Sequence, residues 1–439
     1  MRIKLVPISL KATMSMRLLN ALLLVLLLCS CSTPQAPITP VTVELGETAA
    51  ISHIELTPDE RFLIVGTASS LNVFDIWTGK KLWTETPKRS FQLSPDGRLL
   101  LVSRPRYQRG KMPRYQLLNV QTGRVVAELG GTPSERWEVE GLAFGLRGRK
   151  LALQSSNADV AVYELDPLNQ MPAADQPTLT LEPIVVRQGR WEDTHGQVRQ
   201  TPSLGFANED TEIYLFLPAL RQMERWSTVR PGTRLAKSRY DEVHHVFPHD
   251  ASAEGRWVWR CERNTMSIAD TRNPSLSPSR TFKVEVSQDG ARGFVPGYAE
   301  CGLSPDGRWA ALSLNSRGAD IHYDYNLSLW TADGQQKLQD MGYAHDPTRE
   351  REVLTDQLTA LRFSADSQML YTTDAGGRLH VYALQEPVQV ASIDLGPGIA
   401  SRPFSTLLAV AKSSVAVSST NHHRVIWLPI PRPGAVDAP

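Results

Sequence analysis

Much of what would announce a chemistry is missing from this chain. Neither Cys-x-x-Cys nor His-Glu-x-x-His occurs among its 439 residues, so the common sequence signatures of a zinc centre are missing. The pairs His244-His245 and His422-His423 come from distant stretches, and adjacency alone does not bring three or four ligands together. Gly-x-Ser-x-Gly, a glycine-rich phosphate loop, a calcium loop and carboxylates paired at a defined spacing are equally missing. Catalytic groups gathered from separate loops leave no such trace, so the case for an enzyme is lowered rather than removed. No cofactor is implied. Net charge is small too. Four of the 47 basic residues (Arg2, Lys4, Lys11, Arg17) and none of the 46 acidic ones lie in the first thirty positions, leaving 43 basic against 46 acidic side chains and a net charge of −3. A body so close to neutral argues against nucleic acid as an obligatory partner. No long helical pattern follows residue 30.

The first thirty residues read as a targeting segment. A basic stretch ending at Arg17 leads into the apolar run Leu18–Leu28, which has signal-peptide rather than membrane-spanning length. Met14 and Met16 are alternative starts. The run ends Leu28-Cys29-Ser30-Cys31. This resembles the lipobox of bacterial lipoproteins, with Leu three positions before the acylated cysteine and a small Ser just before it. The resemblance implies that Cys31 becomes a lipidated N-terminus, bearing palmitate or related acyl chains. Ser32 after it implies an outer-membrane destination, on the periplasmic face. Several acyl chains on one residue anchor stably where a single chain would not. An ordinary secretory signal is the alternative. Residues 32–40 are punctuated by Pro34, Pro37 and Pro40, a tether reaching roughly 28 Å in polyproline geometry.

Past the tether one phrase returns. Leu93-Ser94-Pro95-Asp96-Gly97-Arg98 recurs as Leu303-Ser304-Pro305-Asp306-Gly307-Arg308. Degenerate copies stand at Thr57–Arg61, Gly145–Arg149, Ala207–Asp210, Ser252–Arg256 and Ser364–Ser367. Proline presets one φ angle, aspartate caps its own backbone, and glycine takes the left-handed residue that reverses the chain. Each copy precedes an apolar strand: Phe62–Val65, Leu99–Val102, Leu151–Leu153, Ile213–Leu217, Trp257–Trp259, Trp309–Leu312 and Met369–Tyr371, with Val415–Val417 as an eighth. Third strands follow and carry rings at Phe74, Tyr163, Trp226, Trp330, Tyr382 and Trp427. Turns such as Thr78-Gly79-Lys80 and Thr122-Gly123-Arg124 open fourth strands. Period-two alternation between turn signals predicts an all-β chain of repeated four-strand units.

These units resemble WD40-type repeats, and the Ser-Pro-Asp-Gly turns also resemble those of the periplasmic Tol-system propeller. The Gly-His pair of WD40 repeats is absent, and Phe74-Asp75 and Trp330-Thr331 stand where Trp-Asp is expected. The resemblance covers residues 41–430, before a proline-rich tail at 431–439. It implies a single closed β-propeller, expected to have eight blades with seven as the alternative. The last unit lacks a fourth strand, and the alternating Val41–Leu45 is expected to supply it beside Val425–Leu428, closing the ring and hiding an edge.

The same resemblance places the loops after second and fourth strands on one face. That face is expected to gather a basic insertion with Arg106, Tyr107, Arg109 and Arg114, a loop with Trp191, and a loop with His322, Tyr323 and Tyr325. Rings and arginines on loops held by a rigid scaffold suit binding. The expected function is a non-catalytic, monomeric scaffold binding a protein partner in the cell envelope. A metal-dependent hydrolase or lactonase at the channel mouth, where His249 and Asp250 could lie, is the alternative, and glycan or peptidoglycan binding is a further one. Cys261 and Cys301 remain in the mature body. An oxidising compartment allows a disulfide between them, but their expected depths do not match, and two buried free thiols are the other reading.

Overall fold

The computed structural model describes residues 41–430 except 46–49, 86–90, 104–114, 131–138, 146, 156–158, 170–178, 189–203, 218–221, 240–249, 252–255, 263–264, 271–279, 284–294, 297–299, 318–324, 332–336, 343–357, 375–376, 386–387, 397–405 and 421–422. Residues 40–439 form one compact unit. Val41–Glu44 forms β1. A first sheet holds β2 (Ile51–Leu56), β3 (Phe62–Thr67), β4 (Leu71–Asp75) and β5 (Lys80–Glu85). The second holds β6 (Phe91–Leu93), β7 (Leu99–Ser103), β8 (Tyr115–Asn119) and β9 (Val125–Leu129); the third holds β10 (Val139–Phe144), β11 (Lys150–Ser155) and β12 (Val160–Glu164). A single helical turn, α1 (Asp166–Asn169), and β13 (Leu179–Leu181) precede the third sheet's last strand, β14 (Ile184–Arg187).

The fourth sheet comprises β15 (Leu204–Ala207), β16 (Glu212–Leu217), β17 (Gln222–Ser227) and β18 (Arg234–Arg239), and the fifth β19 (Asp250–Ala251), β20 (Trp257–Glu262), β21 (Thr265–Asp270) and β22 (Arg280–Lys283). In the sixth, β23 (Val295–Pro296) and β24 (Glu300–Leu303) both pair with β25 (Trp309–Arg317), followed by β26 (Tyr325–Thr331) and β27 (Lys337–Gly342). The seventh runs β28 (Leu358–Phe363), β29 (Met369–Asp374), β30 (Arg378–Ala383) and β31 (Val388–Asp394). The eighth contains β32 (Thr406–Val410), β33 (Ser414–Ser419) and β34 (Arg424–Pro429), with β1 as the edge strand beside β34. The register there pairs Val41 with Trp427 and Val43 with Val425, antiparallel. The chain is all-β, in many small antiparallel sheets.

The second strands explain the sequence pattern. Residues of β3, β29 and β33 are buried throughout, because each sheet is covered on both faces, and a strand buried on both faces reads as a continuous apolar run. Side chains of the first and second sheets interleave through Ile64, Val73, Leu100 and Leu118; those of the second and third through Leu101, Leu117, Leu153 and Tyr163. The same holds for the third and fourth (Val162 with Leu215), the fifth and sixth (Ile268 with Leu312), and the sixth and seventh (Leu329 with Leu361). Eighth-sheet Ala416 and Val425 pack with Val43, Leu63 and Val65. Each fully buried Leu or Ile here contributes about 2 kcal/mol.

Besides the sixth sheet, where β23 and β24 share β25, the second sheet departs from the simple four-strand unit. Strand β13 leaves its own sequence neighbours and joins the second sheet, parallel to β9, pairing Leu179 with Ala127 and Leu181 with Leu129. Of the two readings left open for Cys261 and Cys301, free thiols or a disulfide, Cys301 is disulfide-bonded, and its partner lies outside the described side chains. Strand β24, which carries Cys301, lies against β20, which carries Cys261.

Candidate functional site

The repeated first turn is built identically four times. A hydroxyl donates to the aspartate two residues on: Thr57 to Asp59 at 2.5 Å, Ser94 to Asp96 at 2.6 Å, Ser304 to Asp306 at 2.7 Å and Ser364 to Asp366 at 2.7 Å. The same hydroxyl oxygen accepts the N–H five residues on, from Phe62, Leu99, Trp309 and Met369, at 2.9–3.0 Å. Each aspartate also accepts the N–H of the residue two positions after it. All this chemistry is local, which is why it survives as a motif.

What these turns touch is not local. The left-handed position is Gly97 (φ 73°), Gly148 (φ 65°) or Gly307 (φ 70°) in three copies, but Glu60 (φ 59°) and Ser367 (φ 59°) in two others. Where glycine stands, an adjacent sheet fills the space: a Cβ would meet Pro58 at 2.6 Å, the Asp96 carboxylate at 3.1 Å and Trp257 at 2.5 Å respectively. A side chain at this position reaches the adjacent sheet instead. Glu60 accepts from the Ser413 N–H and, at 2.5 Å, from its hydroxyl. The Ser367 hydroxyl accepts from the Asp306 N–H at 3.0 Å. Asp210 stands against Gly145 and accepts the Arg147 N–H at 3.5 Å. Turn thus leans on turn from one sheet to the next.

The third turns have their own cap. Asp75 accepts from the Thr78 N–H at 2.9 Å and the Thr78 hydroxyl at 3.1 Å, and Asn119 does the same for Thr122. The Thr78 N–H does most to hold the Asp75 carboxyl below its ordinary range, against burial and with help from the Thr78 hydroxyl and Arg61. At Asp306 burial acts to raise the carboxyl, yet the Ser304 hydroxyl with the Arg308 N–H and guanidinium together hold it low. Burial, and then the Glu182 charge, push the Tyr163 hydroxyl far up, so it stays a neutral donor to the Gly130 carbonyl at 3.2 Å.

Two buried polar pairs stand out. Arg187 Nε meets Glu224 Oε2 at 2.8 Å with side chains only 5 % and 4 % exposed. The Trp226 indole N–H also donates to Glu224, at 3.0 Å. Asp374 pairs with His380 at 2.8 Å and accepts the Arg378 N–H at 2.9 Å. On β2 the half-exposed His53 meets Glu55 at 2.7 Å and packs edge-on to Phe91. Among the described residues no group of three metal-binding side chains converges.

A cleft of about 280 Å³ opens between the turns of the first two sheets, lined by Asp59, Arg61, Asp96, Arg98, Asn119 and Leu168 among others. Two carboxylates face two guanidiniums, so it favours neither sign of ligand. Nearby on the first sheet Trp77 is 79 % exposed, and sequence reasoning did not single it out. The available signal was an aromatic residue at a turn position filled by Gln121 in the next unit.

Of the residues expected to bind a partner, Arg106, Tyr107, Arg109, Arg114, Trp191, His322 and Tyr323 lie outside the described residues, as does Cys31. Tyr325 opens β26, its side chain not described. The segments carrying them follow β7, β14 and β25, the second or fourth strands of their sheets.

No family model matches the chain, and no curated protein does. Among solved structures it is similar to the computationally designed Ika8 protein, with a TM-score of 0.52 and 15 % sequence identity, covering 88 % of this chain and 99 % of that one. At that identity the likeness speaks for fold alone.

Proposed function

We propose that residues 41–430 form a closed eight-bladed β-propeller, held beneath the outer membrane through a lipidated Cys31. In this reading it is a non-catalytic scaffold that binds a protein partner through its long-loop face. The observation that carries the proposal is the pairing of β1 with β34, which joins the first and last described strands in one sheet and covers the edge that β34 would otherwise present. The turn-to-turn contacts and the cores shared by successive sheets agree with a rigid ring. The disulfide at Cys301 suits an oxidising compartment. Loops after second and fourth strands leave the same end of an antiparallel sheet, which supports assigning Arg106, Tyr107, Arg109, Arg114, Trp191, His322, Tyr323 and Tyr325 to one binding face.

The test is affinity purification from native envelopes with wild-type protein and with alanine variants at those eight positions. A partner retained by wild type and lost by the variants, at unchanged melting temperature, is the expected result. Equal recovery by all variants refutes the loop-face assignment. Labelling with radioactive palmitate, abolished by Cys31→Ser, tests the anchor separately.

A further inference from the structure

We propose that the outer edge of the first sheet, strand β5 with Trp77 beside it, docks an extended acidic segment of a partner protein as an added strand. The site is distinct from the loop face and does not rest on that reading.

Trp77 is the most exposed of the large apolar side chains described, yet it is held in place. Its indole N–H donates to the Glu60 carbonyl at 3.2 Å, and Glu60 is itself tied to Ser413. An exposed ring already fixed loses little freedom when a partner covers it. Leu82 stands close by in sequence. The register of β5 on β4 shifts between Val73 and Phe74, making Leu82 the extra residue of a bulge, and bulges re-aim side chains. It is 41 % exposed.

The second sheet shows what belongs on such an edge. Its last two strands carry the same bulge, between Leu117 and Leu118, with Val126 as the extra residue. Val126 is only 3 % exposed, because it shares a core with Leu168 of α1 and Leu181 of β13. Strand β13 is paired to the outside of β9. The chain therefore adds an extended strand to this edge at Ala127–Leu129, just past the bulge, and buries Val126 itself in a core of aliphatic side chains. On the first sheet the equivalent position is uncovered, and among the described residues no strand pairs with the outside of β5.

Charge selects the occupant. Lys80 and Lys81 are exposed on β5. Lysines on an edge repel another copy of the same edge and favour a segment rich in Asp or Glu. The fourth sheet supplies an internal control. There Leu235 is the bulged residue and Val229 takes the place of Trp77, so no ring stands at that position, and Arg234 is engaged by Glu224 at 3.6 Å.

The probe is a fluorescein-labelled peptide, Glu-Leu-Thr-Leu-Glu-Leu-Glu, which repeats the Leu-Thr-Leu of β13 between acidic residues. Polarisation should show saturable binding to the full protein. Trp77→Ala and Leu82→Ser should each weaken it about tenfold, while Val229→Ser leaves it unchanged. In hydrogen exchange, the β5 amides should gain protection when the peptide binds. The proposal is overturned by no binding, by unchanged binding to Trp77→Ala and Leu82→Ser, or by binding without protection of β5. Equal binding of a peptide with Lys in place of Glu overturns the acidic partner.

Discussion

Gly97 offers the sharpest test of the turn-to-turn network. It sits at φ 73°, and a Cβ there would lie 2.6 Å from Pro58 Cδ and 3.1 Å from Thr57 Cβ in the adjacent sheet. Gly79 has nearly the same backbone, φ 67°, with nothing within 4 Å of its would-be Cβ. Alanine at either position meets the left-handed penalty of about 1 kcal/mol. Alanine at position 97 must also displace a proline ring, and overpacking of that kind adds about 2 kcal/mol. Gly79→Ala should therefore cost about 1 kcal/mol and Gly97→Ala about 3 kcal/mol. In urea, with a slope of about 3 kcal/mol per molar, the midpoints fall by about 0.3 M and about 1 M. Circular dichroism and tryptophan fluorescence should report coincident transitions if unfolding is two-state. Adding Pro58→Ala to Gly97→Ala should return part of the loss, since the two side chains compete for one space. Equal midpoints for the two glycine variants would refute the reasoning: the contact between sheets would then contribute nothing beyond backbone conformation.

Asp75 has a lowered folded-state pKa, so its contribution is fully present at neutral pH, begins to fade as pH falls towards the ordinary 3.8, and is lost below the native value. Asp75→Asn should accordingly cost about 1 kcal/mol at pH 7 and nothing in strong acid, read from urea midpoints across pH. Glu224→Ala leaves Arg187 buried without its carboxylate, so a loss of about 3–5 kcal/mol is expected, while Arg187→Met with Glu224→Leu together should cost much less. If the partner of Cys301 is Cys261, the closed loop of about 40 residues is worth about 4 kcal/mol. Cys301→Ser and Cys261→Ser should then destabilise alike and without additivity, and peptide mapping before and after reduction identifies the pair. Asp374→Ala should cost about 2–4 kcal/mol by removing the carboxylate that pairs with His380 and accepts the Arg378 N–H, measured by thermal unfolding.

Everything decided within six or seven residues was written in the chain. Ser94-Pro95-Asp96-Gly97 forms its turn from its own hydroxyl, carboxylate and left-handed glycine, so the motif predicts the turn and the strand Leu99–Ser103 after it. Alternation and continuous apolar runs located the second strands for the same reason: burial on one face or two imposes the pattern directly. The lone alternating segment Val41–Leu45 could be matched to the incomplete last unit because a missing strand is itself a local feature. Tertiary structure alone settled how units meet. Nothing in Leu179-Thr180-Leu181 distinguishes a strand of its own sheet from one added in parallel to the sheet before, because three residues carry no register. The non-glycine residues Glu60 and Ser367 at left-handed positions look like decayed motifs until Ser413 and Asp306 are found against them. The exposure of Trp77 and the bonded state of Cys301 belong to the same class. Each depends on which distant group occupies a neighbouring volume, and that is fixed by packing, not by the order of residues nearby.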